Sequence, residues 1–173
     1  MAATPVTLLL GHGASGGAET MRPWVAPLKR RGVRALTLEL PRSRPDAAVD
    51  AFRQAVLTNP DAAIGGHSFG GRMASLLAAQ AEVSALVLLS YPLHRPGHPE
   101  ELRTEHWARI RCPVLLLSGE RDPFARIELL HREARKLADV TVITYPKLGH
   151  GLLPLVNDVS DQIASFMLEG RAG

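Results

Sequence analysis

The sequence is poor in cysteine, in aromatic residues and in excess charge, and each shortage excludes a class of protein. Cys112 is the single cysteine, so the chain can form no internal disulfide, and this usage gives no sign of secretion. Aromatic residues make up 5% of the chain, and the formal net charge is +3, without a basic stripe interleaved with aromatic residues. We therefore expect no nucleic-acid partner.

Long hydrophobic runs are also missing. No stretch of the sequence reaches the roughly 18 apolar residues of a membrane span. The N-terminal residues MAATPVTLLLGHG lack the positive n-region of a signal peptide, and their apolar run is short. We therefore expect a cytoplasmic protein with no membrane partner.

Short apolar runs do alternate with amphipathic stretches from one end of the chain to the other. The runs predict buried strands over 6–10, 33–40, 62–66, 85–90, 113–118 and 140–145. The stretches between them predict helices near 22–31, 46–58, 69–81, 100–109, 123–138 and 155–169. This alternation predicts an α/β fold with a mainly parallel sheet and helices on both faces. Because there is no linker and no repeat, residues 1–173 are expected to form one domain.

The first glycine cluster, LLLGHGASGGA at residues 8–18, has the spacing of a dinucleotide-binding turn after a strand. Glu39, at the end of the second predicted strand, could then supply the ribose-binding acid. A dinucleotide site needs a helix that begins within the glycines, whereas Pro23 favours a later start and Pro27 disturbs the helix. We keep a nicotinamide-dependent enzyme as an alternative and expect no cofactor.

The second glycine cluster, GGHSFGGR at residues 65–72, contains the pattern G-x-S-x-G between a predicted strand and a predicted helix. This pattern is typical of a sharp turn that presents a nucleophilic serine, here Ser68. Gly66 and Gly70, two residues before and two residues after Ser68, are required because neighbouring backbone segments pass close to the turn.

A nucleophilic serine also needs a base and an acid that orients the base. Asp122 follows the strand predicted over 113–118, and His150 follows the strand predicted over 140–145. Because carboxyl ends of parallel strands share one sheet edge, we expect Ser68, Asp122 and His150 to meet there. Glu120 competes with Asp122 as the acid, but it lies nearer the strand.

Together these segments resemble the α/β-hydrolase superfamily. Within it the chain is similar to a compact group of dienelactone-hydrolase-like esterases and of NSL-complex-subunit and testis-expressed hydrolase-like proteins. The matching segments are LLLGHGASGG, GGHSFGGRMAS, LLSYPLHRPGHPEELRTEHW, LLLSGERDPF and LGHGL. The resemblance implies a minimal fold of six strands, in the order 4-3-5-6-7-8 of the larger family. It also implies no lid domain.

The resemblance further implies a serine hydrolase that cleaves a small-molecule carboxylic ester or thioester through an acyl-enzyme. Ser68 would be the nucleophile, His150 the base and Asp122 the orienting acid. The backbone N–H groups of Ala14 and Phe69 would form the oxyanion hole. Dienelactone hydrolases carry cysteine at the elbow, so their lactone specificity does not follow. Some members of the group serve as parts of complexes, which leaves a non-catalytic binding or scaffold protein as a second alternative.

Histidines and one loop complete the candidate site. The loop that begins at Tyr91 is expected to form a pocket wall, with Tyr91, Leu93 and His94 facing the substrate. His12 and His67 are assigned to the same pocket, although a structural role in shaping its loop is the stronger expectation for His12.

Three further features of the sequence have open roles. The histidines at positions 94, 98 and 106 suggest a metal site, but Pro96 and Gly97 break their spacing and no ligand set is complete, so no metal is expected. Arg72 either meets an acidic substrate group or forms a structural ion pair. The 33–40 strand is a candidate exposed edge, which leaves a monomer or a homodimer open.

Overall fold

A computed structural model describes residues 5–169 of the protein, so the part of the N-terminal segment before Pro5 lies outside the described residues. Six strands form a single sheet: β1 (Val6–Gly11), β2 (Val33–Leu38), β3 (Ala63–His67), β4 (Leu86–Leu89), β5 (Val114–Gly119) and β6 (Val140–Tyr145). Their order is β2-β1-β3-β4-β5-β6, and every pairing is parallel. This confirms the predicted strand order and places β2 at an edge.

Helices cover both faces of the sheet, as the alternating pattern predicts. They are α1 (Arg22–Lys29), α2 (Pro45–Thr58), α3 (Phe69–Ala78), α4 (Ile127–Ala134) and α5 (Val156–Glu169). One apolar core packs α2, α3 and α4 against one face, and a second core packs α1 and α5 against the other. Among the helices described in residues 5–169, none is long and apolar enough to cross a bilayer.

The period-2 alternation of each strand divides its side chains between these two cores. In β1, Leu9 packs on the side of α2 and α3, whereas Leu8 and Leu10 pack on the side of α1 and α5. In β5, Leu116 and Leu117 likewise point to opposite cores. Because both faces are buried, these strands read in the sequence as continuous apolar runs.

The helix predicted over 100–109 is wrong. Within the described chain, a 3₁₀ turn at Trp107–Arg109 is the one helical segment between β4 and β5. Arg103 N–H donates to Leu93 O at 2.9 Å, and Trp107 N–H donates to Thr104 O at 3.1 Å. The backbone donors of this stretch are therefore used in turns and in a long-range bond rather than in an α-helical ladder.

Candidate active site

Ser68 occupies a strained turn between β3 and α3. Its backbone has φ 51° and ψ −115°, a left-handed conformation that non-glycine residues rarely adopt. The turn is held in place because Ser68 N–H donates to Leu89 O at 2.9 Å, at the end of β4. The side chain therefore stands at the carboxyl edge of the sheet, above the first turn of α3.

Gly66 and Gly70 are required because β1 passes directly against the turn. A Cβ on Gly66 would lie 2.3 Å from Gly11 O, and a Cβ on Gly70 would lie 2.3 Å from the carbonyl carbon of Gly11. Both clashes involve backbone atoms, which cannot rotate away as a flexible side chain can. The close approach that the G-x-S-x-G pattern predicts is present, and Gly11 forms its other side.

Replacing Gly70 by alanine is expected to destabilise the protein by about 3 kcal/mol or more, at the upper end of the cost of overpacking. The free energy of unfolding, measured by urea denaturation followed by circular dichroism, tests this. Gly151→Ala is the matched control, since a Cβ there meets nothing within 4 Å, and it should change stability by less than about 0.5 kcal/mol. Equal stabilities of the two variants would contradict the close approach.

His150 bridges Ser68 and Asp122. Its Nε2 lies 2.9 Å from Ser68 Oγ, and its Nδ1 lies 2.8 Å from Asp122 Oδ2. The His150 side chain is 25% exposed, whereas the Asp122 side chain is fully buried. The second Asp122 oxygen accepts the N–H of Phe124 at 2.8 Å, so both carboxylate oxygens have donors. The structure thus brings together the three side chains that the sequence assigns to catalysis.

Glu120, the competing candidate for the acid, does not contact His150. Its carboxylate accepts the hydroxyl of Thr144 at 2.7 Å on the exposed side of β6. The backbone around it joins the two loops, because Glu120 N–H donates to Tyr145 O and Arg121 N–H donates to Leu148 O. These bonds fix the loop that carries His150 beside the loop that carries Asp122.

His67 and Phe124 flank His150. The Nε2–H of His67 donates to the carbonyl oxygen of His150 at 2.9 Å. Burial lowers the pKa of His67, which favours its neutral form. The ring of Phe124 lies 4.4 Å from that of His150 between centroids. Phe124 has no role predicted from the sequence, because no spacing rule indicates that an aromatic ring will pack against a histidine.

His12 shapes the glycine loop after β1 and is fully buried, so it offers no surface to a substrate. Its Nε2 accepts the N–H of Leu40 at 2.9 Å, and its Nδ1–H donates to Gly13 O at 2.8 Å. The structure thus supports the structural role and departs from the pocket assignment. A Cβ on Gly13 would lie 3.9 Å from Ser68 Cβ, which places the residue before Ala14 against the serine.

Glu39 closes the same glycine loop. Its carboxylate accepts the N–H of Ala18 at 2.8 Å, so the candidate ribose-binding acid is bonded to the loop itself. A 3₁₀ turn over Ala18–Met21 follows the glycines and leads into helix α1, which begins at Arg22, as Pro23 predicts. Ala14 instead borders a groove lined by Leu40, Pro41 and Arg42 at the carboxyl edge of the sheet. This geometry does not resemble a pyrophosphate cradle at a helix N-terminus.

The assignment of Tyr91, Leu93 and His94 to a pocket wall is corrected by the structure. Their exposed fractions are 0%, 0% and 1%. The Tyr91 hydroxyl donates to Arg103 O at 2.6 Å, and His94 Nε2 accepts the N–H of Arg126 at 3.0 Å. These side chains are buried inside the β4–β5 connection. The Tyr91 bond joins two parts of that connection, and the His94 bond joins it to the loop that carries Asp122.

The histidines considered for a metal do not converge. His94 is bonded to backbone groups, and His106 Nε2 donates to Ser75 Oγ at 2.8 Å. Burial lowers the pKa of His106 to about 4, so this ring is neutral. His98 lies near two exposed glutamates, of which Glu101 is already paired with Arg95.

Comparison with known proteins agrees with this architecture. Residues 4–166 match the family described as alpha/beta hydrolase domain. Among solved structures, the chain is similar to the monoacylglycerol lipase of Paleococcus ferrophilus, with a TM-score of 0.83 and 14% identity over 95% of this chain and 94% of that chain. It is similar to Est1E from Butyrivibrio proteoclasticus, with a TM-score of 0.80 and 18% identity over 99% and 90%.

It is also similar to the dienelactone hydrolase of Anabaena variabilis, with a TM-score of 0.79 and 17% identity over 96% of this chain and 87% of that chain. At these identities the structures share the fold. The six-stranded parallel sheet, the strained serine turn after β3 and the match over residues 4–166 lead to one conclusion. The chain belongs to the α/β-hydrolase family.

Proposed function

We propose that this protein is a serine hydrolase that cleaves a small-molecule carboxylic ester or thioester. The observation that carries the proposal is the continuous line of hydrogen bonds from Ser68 through His150 to Asp122, at 2.9 and 2.8 Å. Such a line is the arrangement that activates a serine hydroxyl, which is a weak nucleophile without a base. The similar structures include a monoacylglycerol lipase and a dienelactone hydrolase, which agrees with hydrolysis.

In the proposed reaction, Asp122 accepts Nδ1–H of His150, which leaves Nε2 free to take the proton of Ser68. Ser68 Oγ attacks the carbonyl carbon as that proton moves to His150. The tetrahedral oxyanion then accepts the N–H groups of Ala14 and Phe69. Phe69 begins α3, so its N–H has no acceptor within the helix and the helix dipole favours negative charge there.

Collapse of this intermediate breaks the bond to the leaving alcohol or thiol, which receives the proton from His150. The acyl group stays on Ser68 Oγ. A water molecule then attacks the acyl carbon while His150 takes its proton, and a second collapse releases the acid and restores the Ser68 hydroxyl. This sequence uses groups of the chain and water alone. A cytoplasmic location stays the sequence-based expectation.

Labelling with a fluorophosphonate probe tests the proposal. The wild-type protein should form a covalent adduct on Ser68, detected by peptide mass spectrometry, and should hydrolyse p-nitrophenyl acetate. Ser68→Ala should neither label nor turn over the ester, while its circular dichroism spectrum and melting temperature stay close to those of wild type. A folded wild-type protein that does not label would contradict the proposal and favour the binding or scaffold alternative.

A further inference from the structure

Two partly buried arginines beside the serine turn have no carboxylate partner among the residues that the structure describes. Within residues 5–169, Arg72 and Arg103 form no ion pair, and Arg72 Nε is buried without a hydrogen-bond acceptor. The basic side chains that do pair with carboxylates are those of Arg31, Arg53, Arg95, Arg132 and Lys136. The structural ion pair considered for Arg72 is therefore not formed in the described chain.

Arg72 lies one helical turn from the nucleophile candidate. Its N–H donates to Ser68 O at 3.0 Å, in the first turn of α3. Four residues of an α-helix rise about 6 Å, and helical side chains lean towards the N-terminus. The Arg72 side chain therefore extends from a point about one turn below Ser68 and leans back towards the carboxyl edge of the sheet.

Arg103 is held at the same edge by the connection between β4 and β5. Its N–H donates to Leu93 O at 2.9 Å, and its carbonyl accepts the Tyr91 hydroxyl at 2.6 Å. Residues 91 and 93 directly follow β4, which is paired with the strand that ends at the serine turn. Ser75 Oγ donates to Arg72 O at 2.7 Å and lies 2.8 Å from His106 Nε2, so the segment that carries Arg103 packs against α3 beside Arg72. Burial, and then the positive charge of Arg72, lower the pKa of Arg103.

Cationic side chains that are partly withdrawn from water are stabilised by a nearby anion. Glu101 is paired with Arg95, Glu105 is exposed, and neither forms an ion pair with Arg72 or Arg103 in the described chain. An arginine presents five N–H donors, which suit a carboxylate or a phosphate. The buried Nε–H of Arg72, which has no acceptor within residues 5–169, thus favours a negatively charged group from outside the described chain.

We propose that Arg72 and Arg103 bind an anionic group of the substrate, so that the ester or thioester cleaved at Ser68 carries a carboxylate or a phosphate. This inference rests on the proposed function and narrows its substrate class. Because Arg72 lies one helical turn, about 6 Å, from Ser68 along α3, an acyl chain of about four methylene groups is a suitable length for a test substrate.

A pair of esters that differ in one charged group tests this inference. Mono-p-nitrophenyl adipate and p-nitrophenyl hexanoate share the same acyl chain, and a carboxylate replaces the terminal methyl group in the adipate. Wild-type kcat/KM should be at least about 10-fold higher for the adipate ester, as expected for charge-assisted hydrogen bonds. Arg72→Gln and Arg103→Gln should each lower the adipate-to-hexanoate ratio by about 10- to 100-fold, mainly through KM.

Arg111→Gln is the matched control, because Arg111 is exposed and precedes β5 at the opposite edge of the sheet. It removes the same charge and should leave the ratio unchanged. Inhibition of hexanoate-ester hydrolysis by free adipate would identify a carboxylate site, and inhibition by inorganic phosphate would identify a phosphate site. Wild-type protein that labels on Ser68 but shows no preference and no inhibition by either anion would overturn the anion site alone.

Thermal stability tests the anion site without any catalysis. Adipate or inorganic phosphate should raise the melting temperature of the wild-type protein and of Arg111→Gln. The same anion should have no effect on Arg72→Gln/Arg103→Gln. Absence of labelling on Ser68 together with this pattern would contradict the hydrolase and keep the anion site. Equal shifts in all three proteins would overturn the anion site.

Discussion

Replacing His150 by alanine is expected to lower kcat for p-nitrophenyl acetate by about 10⁶-fold. Ser68, His150 and Asp122 would act as one unit, so the loss of one of them removes nearly all of the rate enhancement that they produce together. Ser68 Oγ, which lies 2.9 Å from His150 Nε2, would have no base to take its proton. The Asp122 carboxylate would lose its partner as well. The comparison is best made under saturating substrate, with the rate of fluorophosphonate labelling as an independent measure.

His131→Ala is the matched control for this loss, since it removes an exposed histidine on α4. It should keep wild-type kcat. His67 lies next to His150, with ring centroids 5.0 Å apart, but its Nε2–H is bonded to the His150 carbonyl. It is therefore not placed to substitute as the base. A His150→Ala protein that keeps more than a tenth of wild-type kcat would contradict the assignment.

The strands could be predicted from the sequence because both faces of the central strands are buried, whereas the sheet order follows from the resemblance to α/β-hydrolases. A run such as VTLLL at 6–10 has apolar residues on both of its faces, and it forms β1 between two apolar cores. The glycines at 66 and 70 carry the same kind of information, since close backbone contact with Gly11, and for Gly70 also with His12, requires them. Apolar runs and the glycines of a tight turn can be predicted because each lies within a short stretch of sequence and permits few backbone geometries.

The bonding partners of His12 and His94 could not be predicted, because each partner is distant in the sequence. His12 accepts from Leu40, and His94 accepts from the N–H of Arg126, 32 residues away. No spacing rule predicts that a histidine ring nitrogen will accept a hydrogen bond from a distant backbone N–H. The sequence assigns His94 to the pocket, since a polar residue after a buried strand is typical of a ligand site, whereas a structural role is the stronger expectation for His12.

The helix predicted over 100–109 is the opposite case, because there the local sequence is compatible with a structure that does not form. Its composition is compatible with a helix, yet Tyr91 and Trp107 pack edge to face with ring centroids 4.9 Å apart and draw the loop into the core. The Thr104 hydroxyl bonds to the buried carboxylate of Glu133 on α4. These tertiary contacts outweigh local helix propensity, which contributes less than about 1 kcal/mol per residue. The same packing holds Arg103 at the edge of the site.

Asp122→Asn is expected to lower kcat by about 10⁴-fold while leaving the fold intact, because it reverses the hydrogen bond to His150. In the wild-type protein, Asp122 Oδ1 accepts the N–H of Phe124 at 2.8 Å, so an asparagine at this position would keep its oxygen on that donor. Its NH₂ group would then face His150 Nδ1 and donate to it. The proton of a neutral His150 would move to Nε2, where it points at Ser68 and blocks proton transfer.

The matched control for this substitution is Glu120→Gln, which makes the same chemical change two residues away. Glu120 accepts only the Thr144 hydroxyl among the described side chains, so its amide can keep that bond and kcat should stay within about twofold of wild type. Steady-state kinetics with p-nitrophenyl acetate compares the two variants directly. A large loss in Glu120→Gln with little loss in Asp122→Asn would assign the orienting acid to Glu120. The opposite result would show that the buried carboxylate, held in orientation by Phe124 N–H, sets the tautomer of His150.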